Sequence, residues 1–565
     1  DISKSQLYAF NAFANYENKS FDRQTFSILA GTNIEQNDYS LVSASKPYLL
    51  DPKLPELATA TGDASADNSK SRWRVMGFFG RLKYNFDEKL LFELNGRLDG
   101  SSRFPKGDKF GFFPSASLGY RLSQEDFAKG FLDAMKINNL KLRASWGQIG
   151  YQDVGQYVFE PTLSGYDAAW ITSGQFEKTF GNPKLVSPSL TWETIETVDF
   201  GIDLGLLDNR IDMTFDIFQR KNKDMLGPGE QLPAVLGASV PQVNAGELTT
   251  KGWELGLNFN QRFNKDFNVY LYTALSDAQA TITKWSNESG ILSDFYEGMK
   301  LGEIWGFETD RLFQADDFDS DGKLKEGIPT QDKNIYTSGF NLGPGDVKYK
   351  DLNGDGVVDK GTFTKDDHGD LTIIGNTTPR YEYSVRTGFN YKWFDFDVFF
   401  QGVGKREYWG TGNVALADYH YDVLYDYQTD YWREDNTDAF YPRPFASNAG
   451  TYLPNTKNVG RLLSGGRMLM YGRNNYVPQS KYVQNLAYLR MKELTFGFTL
   501  PASFTNKYSV DKLRLYFSAF NVMEWTKNFT PVDPESTINY YGSLSFYGTQ
   551  LPQTRNFSFG LEITL

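Results

Sequence analysis

The sequence predicts an all-β fold, a transmembrane antiparallel β-barrel, and three observations carry that reading. Aromatic residues make up 16% of the 565 residues, with 34 Tyr and 45 Phe beside 52 Gly, a mix that favours strands and tight turns over helices. Apolar and polar residues alternate with period two in segment after segment. The connections between these segments alternate between short and long, as in a barrel with tight turns at one membrane face and long loops at the other.

The strands follow in order. In "NRIDMTFDIF", Ile211, Met213, Phe215 and Ile217 face one way and Asp212, Thr214 and Asp216 the other. In "KGWELGLNFN", Trp253, Leu255, Leu257 and Phe259 alternate with Glu254, Gly256, Asn258 and Asn260. In "FDFDVFF", Phe394, Phe396 and Val398 oppose Asp395 and Asp397, and the last strand puts Phe557, Phe559, Leu561, Ile563 and Leu565 on one face. About fifteen such segments, each on the order of 10 residues or more as tilted membrane strands require, are expected near 4–15, 22–35, 72–84, 89–101, 110–122, 139–147, 191–206, 209–222, 251–263, 267–284, 380–393, 394–404, 482–500, 512–524 and 555–565.

Short connections are expected at "YENKSF", "NFDEK", "LDN", "NKD" and the Trp393 junction. Long ones are expected at 36–71, 148–190, 223–250, 285–379, 405–481 and 525–554, with 102–109 a shorter member of the long set. The connections at 123–138 and 501–511 fall on the short side, and "SQEDFAKGFLDAMK" in the first of them reads as a short helix. With this parity the C-terminus lies in the periplasm of a bacterial outer-membrane protein. Bacterial barrels close with an even number of strands, so an odd count and an opening that already reads as strand lead to the expectation that other strands come from a longer chain or a second one.

Composition excludes several classes. There is no Cys, only two His, and a net charge of −12 without a basic block. Thiolate sites are therefore out, histidine chemistry has little to work with, and no nucleic-acid partner is expected. No run approaches the 18 or so apolar residues of a membrane helix. No Gly-x-Ser-x-Gly elbow, Walker loop or His-Glu-x-x-His motif occurs, so no enzyme is expected and no catalytic residue is assigned.

Two Asp-rich stretches resemble the start of a calcium loop. In "DLNGDGVVD", Asp351, Asn353, Asp355 and Asp359 with the backbone oxygen of Val357 match its ligand spacing, and Gly356 sits where the turn needs it. Position twelve is Thr362 instead of Glu. "DDFDSDG" offers Asp317, Asp319 and Asp321 in the same way. No cofactor is required; the two readings of these stretches are polar turns held by Asx hydrogen bonds and structural Ca2+. The aromatic stretch around Tyr419 and Tyr421, with Trp305, Tyr408 and Trp409, offers ring faces for a glycan, or equally for loop packing or an interfacial girdle.

Longer phrases carry a family resemblance. "LKLRASWGQIG" (140–150), "NPKLVSPSLTWETIETVDFGIDLGLLDNRIDMTFDIFQRKNKDML" (182–226), "VPQVNAGELTTKGWELGLNFN" (240–260), "GDVKYKDLNGDGVVD" (345–359), "DYWREDNTDAFYPR" (430–443), "YVQNLAYLRMKELTFGFTLP" (482–501) and "LRLYFSAFNVMEWTKNFTPVDPE" (513–535) resemble SusC-like TonB-dependent transporters, in that order along the chain. The resemblance implies a 22-stranded barrel around a plug, capped by a SusD-like surface lipoprotein and energised by TonB. It implies import of oligosaccharides, or alternatively peptides. Against that pattern the chain shows neither plug nor TonB box and about 15 of the 22 strands, so it is expected to be the C-terminal part of such a barrel (1–565), with 285–379 and 405–481 as extracellular loops. The plug and first strands would then come from elsewhere, and outer-membrane lipid would surround the wall. A porin-like or structural barrel component is the rival reading.

Overall fold

The computed structural model describes every residue except 22, 173, 188, 231, 234, 236, 238, 337–341, 411–413, 417–424, 444–475 and 537–552. Fifteen strands form one sheet in which each lies beside its neighbours in chain order. They are β1 (Ile2–Phe21), β2 (Gln24–Ser45), β3 (Ser65–Phe86), β4 (Leu90–Ser101), β5 (Phe110–Arg121), β6 (Ile137–Tyr151), β7 (Glu193–Leu206) and β8 (Ile211–Pro228). Then follow β9 (Gln242–Asn264), β10 (Phe267–Lys284), β11 (Arg380–Tyr391), β12 (Phe394–Lys405), β13 (Tyr488–Thr499), β14 (Lys512–Thr526) and β15 (Asn556–Thr564). Each coincides with one of the fifteen segments expected from alternation. The short helix is also present, as α1 (Asp126–Ala134).

Several strands outrun their expected limits. β2 and β3 pair residue for residue from Gln24↔Phe86 to Ser45↔Ser65, which shrinks the connection expected at 36–71 to 46–64. At about 3.3 Å per residue, 22 residues reach roughly 70 Å, far beyond a hydrocarbon core of about 30 Å. β9 likewise begins at Gln242 rather than at 251. Alternation marks a strand only where one face meets lipid, so it lapses where a strand continues into water. The tight turn "NFDEK" places Asp87 and Glu88 at φ 56° and 55°, the two left-handed positions of a type I′ hairpin.

The chain divides into two compact units. The first comprises Asp1–Asp208, Asp216–Lys251 and Thr283–Ser286, and the second Asn209–Phe215, Gly252–Ile282 and Asn287–Leu565.

In the first unit, Phe10, Ile34, Phe78, Leu94, Leu98, Phe112 and Leu118 stand exposed on one sheet face. The other face is polar: Arg143 bridges Asp203 at 2.9 Å and Asp216 at 2.8 Å, and Arg97 reaches Asp99 and Asn33. A small core of Phe104, Phe113, Val154, Leu190 and Trp192 lies under the connections. The Trp192 indole N–H is satisfied by the Lys109 carbonyl at 2.9 Å.

In the second unit the two faces separate again. Leu515, Phe517, Phe559, Leu561, Phe496 and Phe396 share a face through the β12–β13–β14–β15 register, and Phe559 is 85% exposed. The opposite face carries Asp395 bonded to Arg514 at 3.0 Å, Lys512 bonded to Glu562 at 2.8 Å, and Tyr270 donating to Asp397 at 2.7 Å. Gly497 lies opposite Asp395, and a Cβ there would collide with the carboxylate that reaches Arg514. An exposed apolar face backed by a paired, charged one is the pattern of a wall between lipid and a wet lumen. No helix among the described residues is long and apolar enough to cross a membrane.

Candidate functional site

The long connections of the second unit are a folded layer. Four small sheets order it: Glu303–Phe307 with Leu371–Asn376, Thr309–Leu312 with Val347–Tyr349, Thr330–Gln331 with Val357–Val358, and Glu407–Tyr408 with Gln484–Asn485. The last joins two segments more than 70 residues apart in the chain. Tyr349, Tyr482, Val347, Leu486 and Tyr441 are fully buried in its core. Phe307 stacks on Tyr349 at 4.9 Å and Tyr441 on Tyr482 at 5.9 Å. Each such burial contributes about 1.5–3 kcal/mol.

Buried amides stitch the segments together. Gln331 accepts from the Tyr349 N–H at 2.7 Å and donates to the Val347 carbonyl at 3.1 Å. Gln479 accepts from the Thr309 hydroxyl at 3.1 Å, and Gln484 accepts from the Thr530 hydroxyl at 3.1 Å. Three long connections, widely separated in sequence, thus share one core.

The aromatic candidates sit at the edge of this layer. Trp305, Tyr408 and Trp409 are half-buried and pack against the core. The Trp305 indole donates to the Tyr296 hydroxyl at 3.1 Å, and Tyr296 donates to Glu303 at 2.6 Å. Burial and that carboxylate push the Tyr296 hydroxyl up to about 12, so it stays a donor. Trp305 also lies 5.3 Å from the His368 ring. The structure therefore brings Trp305, Tyr408 and Trp409 into one layer; Tyr419 and Tyr421 lie outside the described residues.

The stretch Asp351–Asp359 is a closed polar turn. Asp351 accepts from the N–H groups of Gly354 (2.6 Å) and Gly356 (2.9 Å). Asn353 accepts from the Asp355 N–H and donates to its carboxylate, and Asp355 also accepts from the Val357 N–H at 2.8 Å. Gly354 and Gly356 take φ 78° and 87°, which a side chain would resist. Asp359 caps Gly361 at 2.8 Å. Closure comes from a residue that the spacing did not single out: fully buried Asp370 accepts from Leu352 at 2.6 Å and from Asp359 at 2.9 Å. No local signal marks Asp370, because its partners are 11 and 18 residues away.

In the second Asp-rich stretch, Asp317 is buried and held by both guanidinium nitrogens of Arg311, at 2.6 and 2.7 Å. Those bonds hold its carboxyl below the usual range despite burial. Asp319 accepts from the Asp321 and Lys323 N–H groups at 2.9 Å each, and Asp321 is exposed. Among the described residues no three His, Cys, Asp or Glu side chains converge as a metal-ligand set.

Sequence reading also missed a charge cluster on β13. Arg490 is 3% exposed and meets Asp533 at 2.7 Å together with Glu524 and Glu535. Lys492 reaches Glu535 at 2.7 Å, and the Tyr488 hydroxyl donates to the same carboxylate. The phrase "TPVDPE" was legible as a family marker; that it docks onto a buried arginine was not.

The layer is acidic. Residues 287–379 hold nineteen Asp and Glu against nine Lys and Arg, so this one connection carries a charge of −10 in a chain of −12. A net negative charge disfavours the approach of anionic solutes.

Comparison with known proteins agrees with this architecture. Residues 3–433 match the family described as TonB dependent receptor-like, beta-barrel. TonB-dependent receptor P3 of Formosa agariphila is 27% identical over 97% of this chain and 51% of its own length. TonB-dependent receptor SusC of Bacteroides thetaiotaomicron is 27% identical over 69% of this chain and 38% of its own. The RagAB peptide importer in its 'open-open' state superimposes with a TM-score of 0.73 at 18% identity, over 100% of this chain and 55% of that one. The chain spans about half the length of the relatives it matches. Fifteen strands in meander order, two chemically opposed sheet faces and a match over three quarters of the sequence make the chain a member of the TonB-dependent receptor-like β-barrel family.

Proposed function

We propose that this chain forms barrel wall and surface loops of a SusC-type importer in the bacterial outer membrane, with its C-terminus in the periplasm. The observation that carries the reading is the packed loop layer of the second unit, built from three long connections that all leave the same ends of their strands. A porin-like wall needs no such shared core. In this reading the layer is extracellular, a SusD-like lipoprotein docks over it to deliver cargo, and TonB supplies energy through a plug region.

The cargo proposed is a neutral oligosaccharide. The charge of −10 on residues 287–379 disfavours acidic glycans, and half-buried Trp305, Tyr408 and Trp409 are the proposed sugar contacts; Tyr419 and Tyr421 are proposed with them from the sequence alone. Peptide cargo is the second reading, and the same charge would select cationic peptides. Deleting the gene and measuring uptake of labelled neutral oligosaccharides and of basic peptides tests both. Loss of saccharide uptake alone supports the first reading, loss of peptide uptake alone the second, and unchanged uptake of both counts against import.

Structural Ca2+ is proposed at Asp351, Asn353, Asp355, Val357 and Asp359, and at Asp317, Asp319 and Asp321. A carboxylate oxygen that accepts one N–H keeps a second lone pair for a cation. Calorimetric titration with Ca2+ is expected to show binding at millimolar concentration; absence of heat, with unchanged loop protection in chelator, rejects it.

A further inference from the structure

On the apolar side of β1–β3 the register sets side chains in rows. The rows Tyr16–Ile28–Leu82, Ala14–Ala30–Gly80, Ala12–Thr32–Phe78 and Phe10–Ile34–Met76 are apolar or small. Toward the 46–64 connection the next rows change chemistry abruptly: Tyr8–Gln36–Arg74, then Gln6–Asp38–Arg72, then Lys4–Ser40–Lys70. Period-two alternation keeps all of these on one face. From Met76 to Phe86 the strand advances roughly 33 Å, which a tilt of about 40° converts to a band about 25 Å tall. The cationic rows therefore begin at the upper edge of the lipid band.

These rows hold four cations, Lys4, Lys70, Arg72 and Arg74, and one carboxylate, Asp38, in a chain whose net charge is −12. The guanidinium groups are pre-oriented. Arg72 bonds Asp38, Gln36 donates to Asp38 at 2.6 Å, and Arg74 donates to Gln36 at 2.7 Å. Lys4 and Lys70 flank Ser40 and take part in no salt bridge among the described residues. Lys4, Asp38, Lys70, Arg72 and Tyr157 line a polar hollow of about 360 Å³, and Arg74 lies one row below it. Further along the same face, Ala12, Ala14, Ala30 and Gly80 form a strip of small residues among Tyr16, Phe10 and Phe78.

We propose that this surface binds the phosphorylated headgroup of a membrane lipid in the leaflet on the long-connection side. The phosphate would sit among Lys4, Lys70, Arg72 and Arg74, and the acyl chains over the small-residue strip. Guanidinium forks match phosphate oxygens, and a cation at a membrane surface attracts an anionic headgroup. The inference rests on the reading of the chain as an outer-membrane barrel wall.

The test uses the full natural chain, extracted from its membrane and titrated by native mass spectrometry with monophosphoryl lipid A, its dephosphorylated counterpart and inorganic phosphate. The wild type is expected to bind the phosphorylated lipid at least about tenfold more tightly than the combined variant Lys4→Gln, Lys70→Gln, Arg72→Gln, Arg74→Gln. An Arg81→Gln, Lys83→Gln control on the opposite face should bind like wild type. Equal binding by the fourfold variant, equal binding of the dephosphorylated lipid, or displacement by millimolar inorganic phosphate would overturn the proposal. Heat-modifiable migration and outer-membrane fractionation are scored in parallel. A variant that inserts normally but binds lipid unchanged removes only this inference, whereas failure of the wild type to insert removes the barrel reading with it.

Discussion

The guanidinium of Arg490, on β13, lies 2.7 Å from the carboxylate of Asp533, in the connection that follows β14. That contact and the pairs of Glu535 with Arg490 and Lys492 fasten residues 527–536 to the sheet. Removing one partner of a buried ion pair leaves an uncompensated charge and costs about 3–5 kcal/mol. Arg490→Ala should therefore release this segment. Hydrogen exchange is expected to show faster exchange at 528–536 with protection in β13 and β14 retained; unchanged protection at 528–536 would show that other contacts hold it.

The same cluster predicts an acid response. Burial pushes the Glu535 carboxyl up, but hydrogen bonds from Lys492 and Tyr488 and the charges of Arg490 and Lys492 outweigh it and hold it below its usual range. A depressed carboxyl stabilises the docked segment above its unfolded value of about 4.3, and the contribution is lost as pH falls through the lower folded value. Protection of 528–536 should be flat from neutral pH to about 5 and fall below about 4. Glu535→Gln should weaken protection at neutral pH and flatten this dependence. Asp317, lowered chiefly by its bonds to Arg311, should give the segment around 314–325 an acid response in the same direction.

Asp370 makes a third test. Its carboxylate satisfies the N–H groups of Leu352 and Asp359, and leaving a buried donor unpaired costs about 1–3 kcal/mol. Asp370→Ala should open residues 351–361 to limited proteolysis while the strands stay intact, and Asp370→Asn, which keeps one acceptor oxygen, should open them less. Equal resistance in all three proteins would contradict the assigned role.

The two faces of β15 predict opposite tolerances. Phe559 is 85% exposed on the apolar face, and Ser558 points to the other. An arginine on the lipid face near the midplane costs about 2–4 kcal/mol. Phe559→Arg should lower the fraction folded in lipid vesicles, read as heat-modifiable migration, whereas Ser558→Arg should leave it close to wild type. The reverse order would exchange lipid and lumen.

The strands were legible because lipid on one side and water on the other write a period-two pattern: Phe557, Phe559, Leu561 and Ile563 are enough to place β15. Their full lengths were not, because Asp38, Ser40, Lys70 and Arg72 lie on a face that has already left the apolar band. The loop layer was hidden for another reason. Tyr349, Gln331, Gln479 and Tyr482 come together only in the folded chain, and nothing local distinguishes a buried Gln479 from a solvated one. The Asp351–Asp359 turn was visible as a motif, while Asp370, which closes it, required tertiary pairing.

Site-directed cysteine labelling tests the orientation of the wall, since residues 1–565 contain no Cys. Lys325→Cys lies exposed in the long 285–379 connection and Lys392→Cys exposed in the short turn before β12. In intact cells a membrane-impermeant maleimide is expected to label residue 325 and to reach residue 392 only after the outer membrane is permeabilised. Labelling of residue 392 but not 325 in intact cells, or of both equally, would contradict a membrane-spanning wall with its long connections outside.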